Sequence, residues 1–212
     1  MPFGTVPPKG DPEAQQKAFL AMYPELASKR FLLFLGRIHR KKGCDLLMEA
    51  FARLAAEEPD LQLVMAGPDP QQWGRELQTD AARAGLSNRI HWPGMLTGDL
   101  KWGAFHAAEA FILPSHQENF GIAVAEAMAC AKPVLLSDKV NIAAEVAADG
   151  AGFVEADTLE GTEQLLRRWM ALSTAARADM GSHARACFYS RYNLRENAQV
   201  IATLLKDPGW QT

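Results

Sequence analysis

At 212 residues the chain is long enough for one full domain with a sizeable core and short for two, and 48% apolar with 22% charged residues is ordinary for a globular protein. A net charge of −3 argues against a bulk basic field for nucleic acid, and no uninterrupted apolar run approaches the roughly 18 to 20 residues of a membrane span. The three cysteines, Cys44, Cys130 and Cys187, are widely spaced without C-x-x-C pairing, which reads as free thiols in a reducing cytoplasm.

The amino terminus, MPFGTVPPKGDP, has no apolar signal core, and its Pro and Gly content marks residues 1–30 as a linker or a cut end. Short apolar runs then alternate with longer amphipathic ones. Residues 31–35 read as a buried strand, followed by a helix over 45–58 with Leu46, Leu47, Ala50, Phe51 and Leu54 on one stripe. A strand over 61–66 leads to a helix over 71–84, closed by Gly85 in a C-cap position. A short strand over 89–92 and a helix over 98–108 come next. A strand over 110–113, a helix over 120–131 and a strand over 134–136 follow. A short helix over 142–148 leads to a last strand over 152–155, and helices over 158–172, 174–191 and 194–205 close the chain. Six strands alternating with helices predict an α/β fold with a doubly wound, six-stranded parallel sheet of Rossmann-like type.

Ligands in such sheets bind beyond the carboxyl ends of the strands, which picks out the strand-to-helix loops. The first, Gly36-Arg37-Ile38-His39-Arg40-Lys41-Lys42-Gly43, carries four Lys or Arg residues between two glycines and just before a helix. Helix amino termini favour anions, and Arg and Lys add charge-assisted hydrogen bonds to phosphate. A solvated basic loop is the plain alternative. The loop from Pro93 to Gly98 contains Met95 and Leu96 between glycines that let backbone approach a planar group, or it is simply a Gly-rich turn.

The fourth loop, residues 115–119, opens a helix whose first free amides are expected at Phe120, Gly121 and Ile122. Glu118 stands at its mouth, where a carboxylate could bind a ligand or only favour the helix dipole. Glu126 is the sole charged residue from Phe120 to Ala131. A carboxylate on so apolar a helix is costly to bury unless paired or hydrogen-bonded; a ligand diol could supply those bonds, or an ion pair with Lys42 or Lys132. His116 reads as an exposed imidazole more readily than as a catalyst. The chain has no G-x-G-x-x-G fingerprint, no phosphate-binding P-loop and no G-x-S-x-G elbow. Its five histidines make no H-x-x-x-H spacing, so nothing demands a metal.

Two of these motifs carry a family resemblance. Gly36-Arg37-Ile38-x-x-x-Lys42-Gly43 resembles the first-strand signature of the group 1 glycosyltransferases, the retaining enzymes of the GT-B fold. Glu118-Asn119-Phe120-Gly121 through Glu126-Ala127-Met128-Ala129 is similar to their E-x7-E motif. The likeness is to the carboxy-terminal, donor-binding domain and runs from about Phe31 to Glu155. It implies one half of a GT-B architecture, with a nucleotide-sugar donor-binding domain at 31–190 and a closing helix and tail at 191–212. It also implies roles. Gly36 is among the binding residues, and Arg37 and Lys42 bind the donor diphosphate. Glu118 holds hydroxyls of the transferred sugar and Glu126 accepts from the ribose diol. Asn119 lies between them in the motif, the amides of Phe120, Gly121 and Ile122 face sugar and phosphates, and Met95 and Leu96 meet the base edge.

Glu118, Arg37 and Lys42 are thus the expected catalytic group. The donor is a nucleoside diphosphate sugar with a UDP, GDP or ADP leaving group, no metal or other cofactor is required, and no nucleic acid is a partner. The acceptor comes with an amino-terminal domain that this chain lacks, so the chain is expected to be a fragment inactive alone. Any peripheral membrane association of the full enzyme is not legible in it. The family carries Gly where this chain has Ala131, and Gly-Gly where it has Ala143-Ala144. If residue 131 is left-handed, Ala there costs about 1 kcal/mol more than Gly. A second class of reading is a non-catalytic nucleotide-binding module or degenerate partner subunit; the presence of Glu118 beside Arg37, Lys42 and Glu126 favours the enzyme.

Overall fold

The structure, a computed structural model, describes residues 4–195. Six strands form one all-parallel sheet: β1 (Arg30–Leu35), β2 (Leu61–Ala66), β3 (Ile90–Gly94), β4 (Ala110–Leu113), β5 (Val134–Ser137) and β6 (Gly152–Glu155). Their order is β3-β2-β1-β4-β5-β6. The central strands are buried at nearly every position, as expected of a parallel sheet covered on both faces. That is why they stand in the sequence as continuous apolar runs rather than alternating ones. Pro93 is accommodated in β3 because that strand lies at the sheet edge.

Helices α2 (Cys44–Leu54) and α3 (Gly74–Arg83) touch one another, and α7 (Leu159–Met170) also lies on α2. Helix α4 (Gly98–Ala107) meets α5 (Ile122–Ala129) through side chains, and α8 (Thr174–Cys187) packs on α5. The short α6 (Ala143–Ala148) lies against β5 and β6. A π-helical turn, Phe188–Tyr192, continues α8 and also touches α5.

The stretch read as a linker contains a helix, α1 (Pro12–Met22). Asp11 caps it, accepting from the Glu13 amide at 3.2 Å, and Pro12 occupies its first turn. The helix lies on α4, where Gly103 makes the approach possible: a Cβ there would sit 2.1 Å from the Gln15 carbonyl oxygen. Phe19 is fully buried in this contact, which contributes about 1.5 to 3 kcal/mol.

Other boundaries shift for local reasons. Helix α3 starts at Gly74 rather than 71, because Gln72 has φ 56° and the Asp69 carboxylate accepts from the Trp73 and Gly74 amides at 3.0 and 2.8 Å. Helix α5 starts at Ile122 rather than 120, because Gly121 is left-handed. Its far end is a Schellman turn: the Lys132 amide reaches the Ala127 carbonyl and the Ala131 amide the Met128 carbonyl, at 3.0 and 2.9 Å. Ala131 has φ 56°, so the alanine does occupy the left-handed position where glycine is preferred. The helix expected over 194–205 lies outside the described residues apart from its first two positions.

Candidate active site

The strand order reverses between β1 and β4, and the loops leaving these two strands build one site at the switch point. After β1 the chain stays near β2: the Gly36 amide donates to Ala66 and the Ile38 amide to Pro68, at 3.0 and 2.9 Å. Buried Ile38 anchors the loop. Residues Arg40–Lys42 then form a 3-10 turn capped by His39, whose Nδ1 accepts from the Lys41 amide at 3.1 Å. Gly43 ends that turn at φ 65° and starts α2.

The β4 loop is fastened to this turn. The Lys41 carbonyl accepts from Ser115 Oγ at 2.7 Å and from the His116 amide at 2.9 Å. On the other side, Ser137 Oγ donates to the Ser115 carbonyl. The Glu118 amide donates to Lys139 and the Asn141 amide donates to Glu118, both at 3.1 Å. Glu118 is thus held by backbone between the loops leaving β1 and β5, which leaves its carboxylate as the variable element.

That carboxylate pairs with Lys42: Nζ donates to Oε2, and the side chains are only 16% and 19% exposed. Arg37 is exposed and makes no hydrogen bond or ion pair among the described residues. Gly36, Arg37, Lys42, Glu118, Asn119, Phe120, Gly121 and Ile122 line one cavity of about 620 Å³. Phe120 is braced from behind by Tyr192, ring centroids 5.7 Å apart at 69°. The Gly121 carbonyl accepts from Val124 and Ala125, so the free amides at the start of α5 include that of Ile122, one of the three expected, and that of Ala123. With two cations and a helix amino terminus on one wall, the cavity suits an anion of phosphate type beside a group that the carboxylate can bind.

Three expected residues fall outside this cavity. Glu126 lies one helical turn beyond Ile122 and is 8% exposed. It does form an ion pair, but with neither Lys42 nor Lys132: Lys101 of α4 donates to its Oε1 at 2.7 Å. Lys132 instead donates to the His106 carbonyl at 2.8 Å. Met95 is 66% exposed, whereas the Leu96 side chain is buried in the core. Any contact of Leu96 with a ligand would therefore be through backbone. His116 is exposed, with Nδ1 3.1 Å from Asp157 Oδ2.

Sequence reasoning missed Gly4, which lines the cavity, and Lys101. The signal for Lys101 was present: it follows Leu100 and precedes Trp102-Gly103-Ala104-Phe105, a lone cation beside an apolar stretch, as Glu126 is a lone anion in one. Burial pushes the thiols of Cys44, Cys130 and Cys187 up to about 12, so none is a thiolate nucleophile near neutral pH. Among the described residues no three His, Cys, Asp or Glu side chains converge as a metal site, and no helix is long and apolar enough to cross a membrane.

The family model for glycosyl transferases group 1 matches residues 18–186. A D-inositol 3-phosphate glycosyltransferase of Geodermatophilus obscurus is 32% identical over 164 residues, covering 71% of this chain and 36% of that protein. Among solved structures, Anabaena HepE in complex with UDP and glucose superposes with a TM-score of 0.78 at 22% identity, covering 93% of this chain and 53% of that one. The carboxy-terminal domain of a glycosyl transferase group 1 family protein, LpcC of Francisella tularensis, gives 0.74 at 20% identity, covering 89% and 96%. At such identities these two structures bear on fold. The chain spans less than half the length of the curated relatives it matches.

Proposed function

The chain belongs to the group 1 glycosyltransferases, and from that premise we propose that it is the donor-binding half of a retaining enzyme that uses a nucleoside diphosphate sugar. The observation that carries this reading is the convergence of Arg37, Lys42, Glu118 and the start of α5 on one cavity at the topological switch point. HepE, a solved structure of similar fold, is described in complex with UDP and glucose, which supports a nucleotide as the ligand in this reading.

In this account the diphosphate lies against Arg37, Lys42 and the Ile122 and Ala123 amides. These groups stabilise the charge that builds on the leaving diphosphate as the glycosidic bond breaks, without a metal. Glu118 holds sugar hydroxyls and Glu126 the ribose. The acceptor attacks from the face that the leaving group vacates, so the anomeric configuration is retained. Reaction requires donor and acceptor held in contact, worth roughly 7 to 11 kcal/mol. We assign the acceptor wall to the part of the relatives' length that this chain does not span. Lys42 has two tasks in this scheme: it pairs with Glu118 in the free protein and shares its remaining protons with phosphate when the donor arrives.

Calorimetric titration of residues 1–212 with UDP, GDP and ADP in the presence of EDTA tests the proposal. One of the three is expected to bind saturably, with the same affinity when magnesium replaces EDTA. Binding that appears only with the metal would contradict the diphosphate site built on Arg37 and Lys42.

A further inference from the structure

Glu126, outside the cavity and one helical turn beyond Ile122 of its lining, is buried, and a buried carboxylate needs a partner. Its own helix offers none, since every other residue of α5 is apolar. The partner arrives from α4: Lys101 Nζ lies 2.7 Å from Glu126 Oε1 and 4.1 Å from the centroid of the adjacent Trp102 ring. Trp102 in turn rests on buried Phe105, centroids 6.0 Å apart. The ammonium is therefore fixed from two sides, by a carboxylate and by the face of an indole that is itself held by the core.

We infer that Lys101 is a positioning residue for ribose recognition: it fixes the Glu126 carboxylate by occupying Oε1, so that the rest of the carboxylate is presented to the 2′- and 3′-hydroxyls of the nucleotide. The inference rests on the ribose role proposed for Glu126. A carboxylate accepts at about four lone-pair sites, so one ammonium on Oε1 leaves capacity for both hydroxyls. Without the lysine, the buried carboxylate loses the partner that fixes it and can turn toward water, which removes the aligned acceptor. Lys101 also stands one turn into α4, directly after the 94–97 loop assigned to the base, so base loop and ribose carboxylate are coupled through one helix start.

The test compares each nucleoside diphosphate bound by the wild-type chain with its 2′-deoxy form. Losing one hydrogen bond to a charged group costs roughly ten- to a hundred-fold in affinity, so the wild type is expected to prefer the ribose form by about that factor. Glu126→Ala should erase the preference, which checks the ribose assignment itself. Lys101→Met should bring the ratio down toward that of Glu126→Ala, and Lys101→Arg should restore most of it. A helix merely loosened by mutation would weaken both ligands alike and leave the ratio unchanged. A wild-type ratio retained in Lys101→Met, with Glu126→Ala erasing it, overturns the role of Lys101 while the ribose assignment stands. A wild type that does not distinguish the two forms, or that binds none of the diphosphates, overturns both.

Discussion

Lys42→Glu is expected to abolish nucleoside diphosphate binding by the chain. The change removes a charge-assisted hydrogen bond to phosphate, a loss of about 1.5 to 3 kcal/mol. It also sets a carboxylate against the diphosphate, and two like charges about 4 Å apart repel by roughly 4 kcal/mol at a surface-like dielectric of 20. A third effect follows from the structure: Glu118 would lose its partner and face the new carboxylate. Together these lower affinity by on the order of a thousand-fold or more, beyond detection for a weak binder. Lys41→Glu provides the contrast. That residue is exposed on the same turn and outside the cavity, so the same change of net charge there should cost little. Affinity unchanged in Lys42→Glu, or equal losses in the two variants, would move the diphosphate elsewhere.

Gly43→Ala should destabilise the fold and disorganise the site together. Gly43 sits at φ 65°, ψ 30°, a conformation that costs a side chain about 1 kcal/mol. The larger difficulty is space: a Cβ would lie 2.0 Å from the Pro114 carbonyl oxygen. That oxygen belongs to backbone at the end of β4, so relief requires the β1 and β4 loops to part. Adding the usual 1 to 3 kcal/mol for overpacking gives a loss of about 2 to 4 kcal/mol, read as a lower denaturant midpoint. Parting the loops also breaks the hydrogen bonds of Ser115 and His116 to Lys41, and with them the approach of Lys42 to Glu118. Nucleotide affinity is therefore expected to fall in the folded fraction as well. Stability within about 0.5 kcal/mol of wild type, the range of ordinary surface changes, would show that the two loops are not locked at this point.

Much of the fold was legible because parallel strands buried on both faces appear as unbroken apolar runs. All six strands stood within two residues of their observed ends. Their order was not legible: it depends on which face each helix packs against, and the sequence shows only that helices intervene. Helix α1 was missed because Pro and Gly before it read as linker, although Asp11-Pro12 was a start signal of the right kind. The start of α5 was misplaced because Gly121 looks equally suited to a helix terminus and to the left-handed residue before it.

The site divided in a similar way. Residues on the two loops that meet at the switch point line one cavity: Gly36, Arg37, Lys42 and the run from Glu118 to Ile122. What failed were statements about side-chain partners across the fold. The partner of Glu126 could not be chosen from sequence, because Lys42, Lys132 and Lys101 are all lysines and separation along the chain does not rank them: Lys132, the nearest of the three in sequence, is not the partner. Only the seat of α4 beside α5 brings the third within 2.7 Å. Leu96 likewise looks like any loop residue until its burial is seen.

The central claim is that this site holds the sugar of an activated donor and not only a nucleotide, and Glu118→Ala tests it most directly. Two titrations are compared, one with the nucleoside diphosphate and one with its sugar ester, in wild type, Glu118→Ala and Glu126→Ala. In Glu118→Ala the diphosphate should bind at least as well as to wild type, because Lys42 is released from its ion pair, while the added affinity contributed by the sugar disappears. In Glu126→Ala both ligands should weaken together, by about 1.5 to 3 kcal/mol. Equal losses for diphosphate and sugar ester in Glu118→Ala would contradict the account, since the carboxylate would then be serving the nucleotide or the loop and not the transferred sugar.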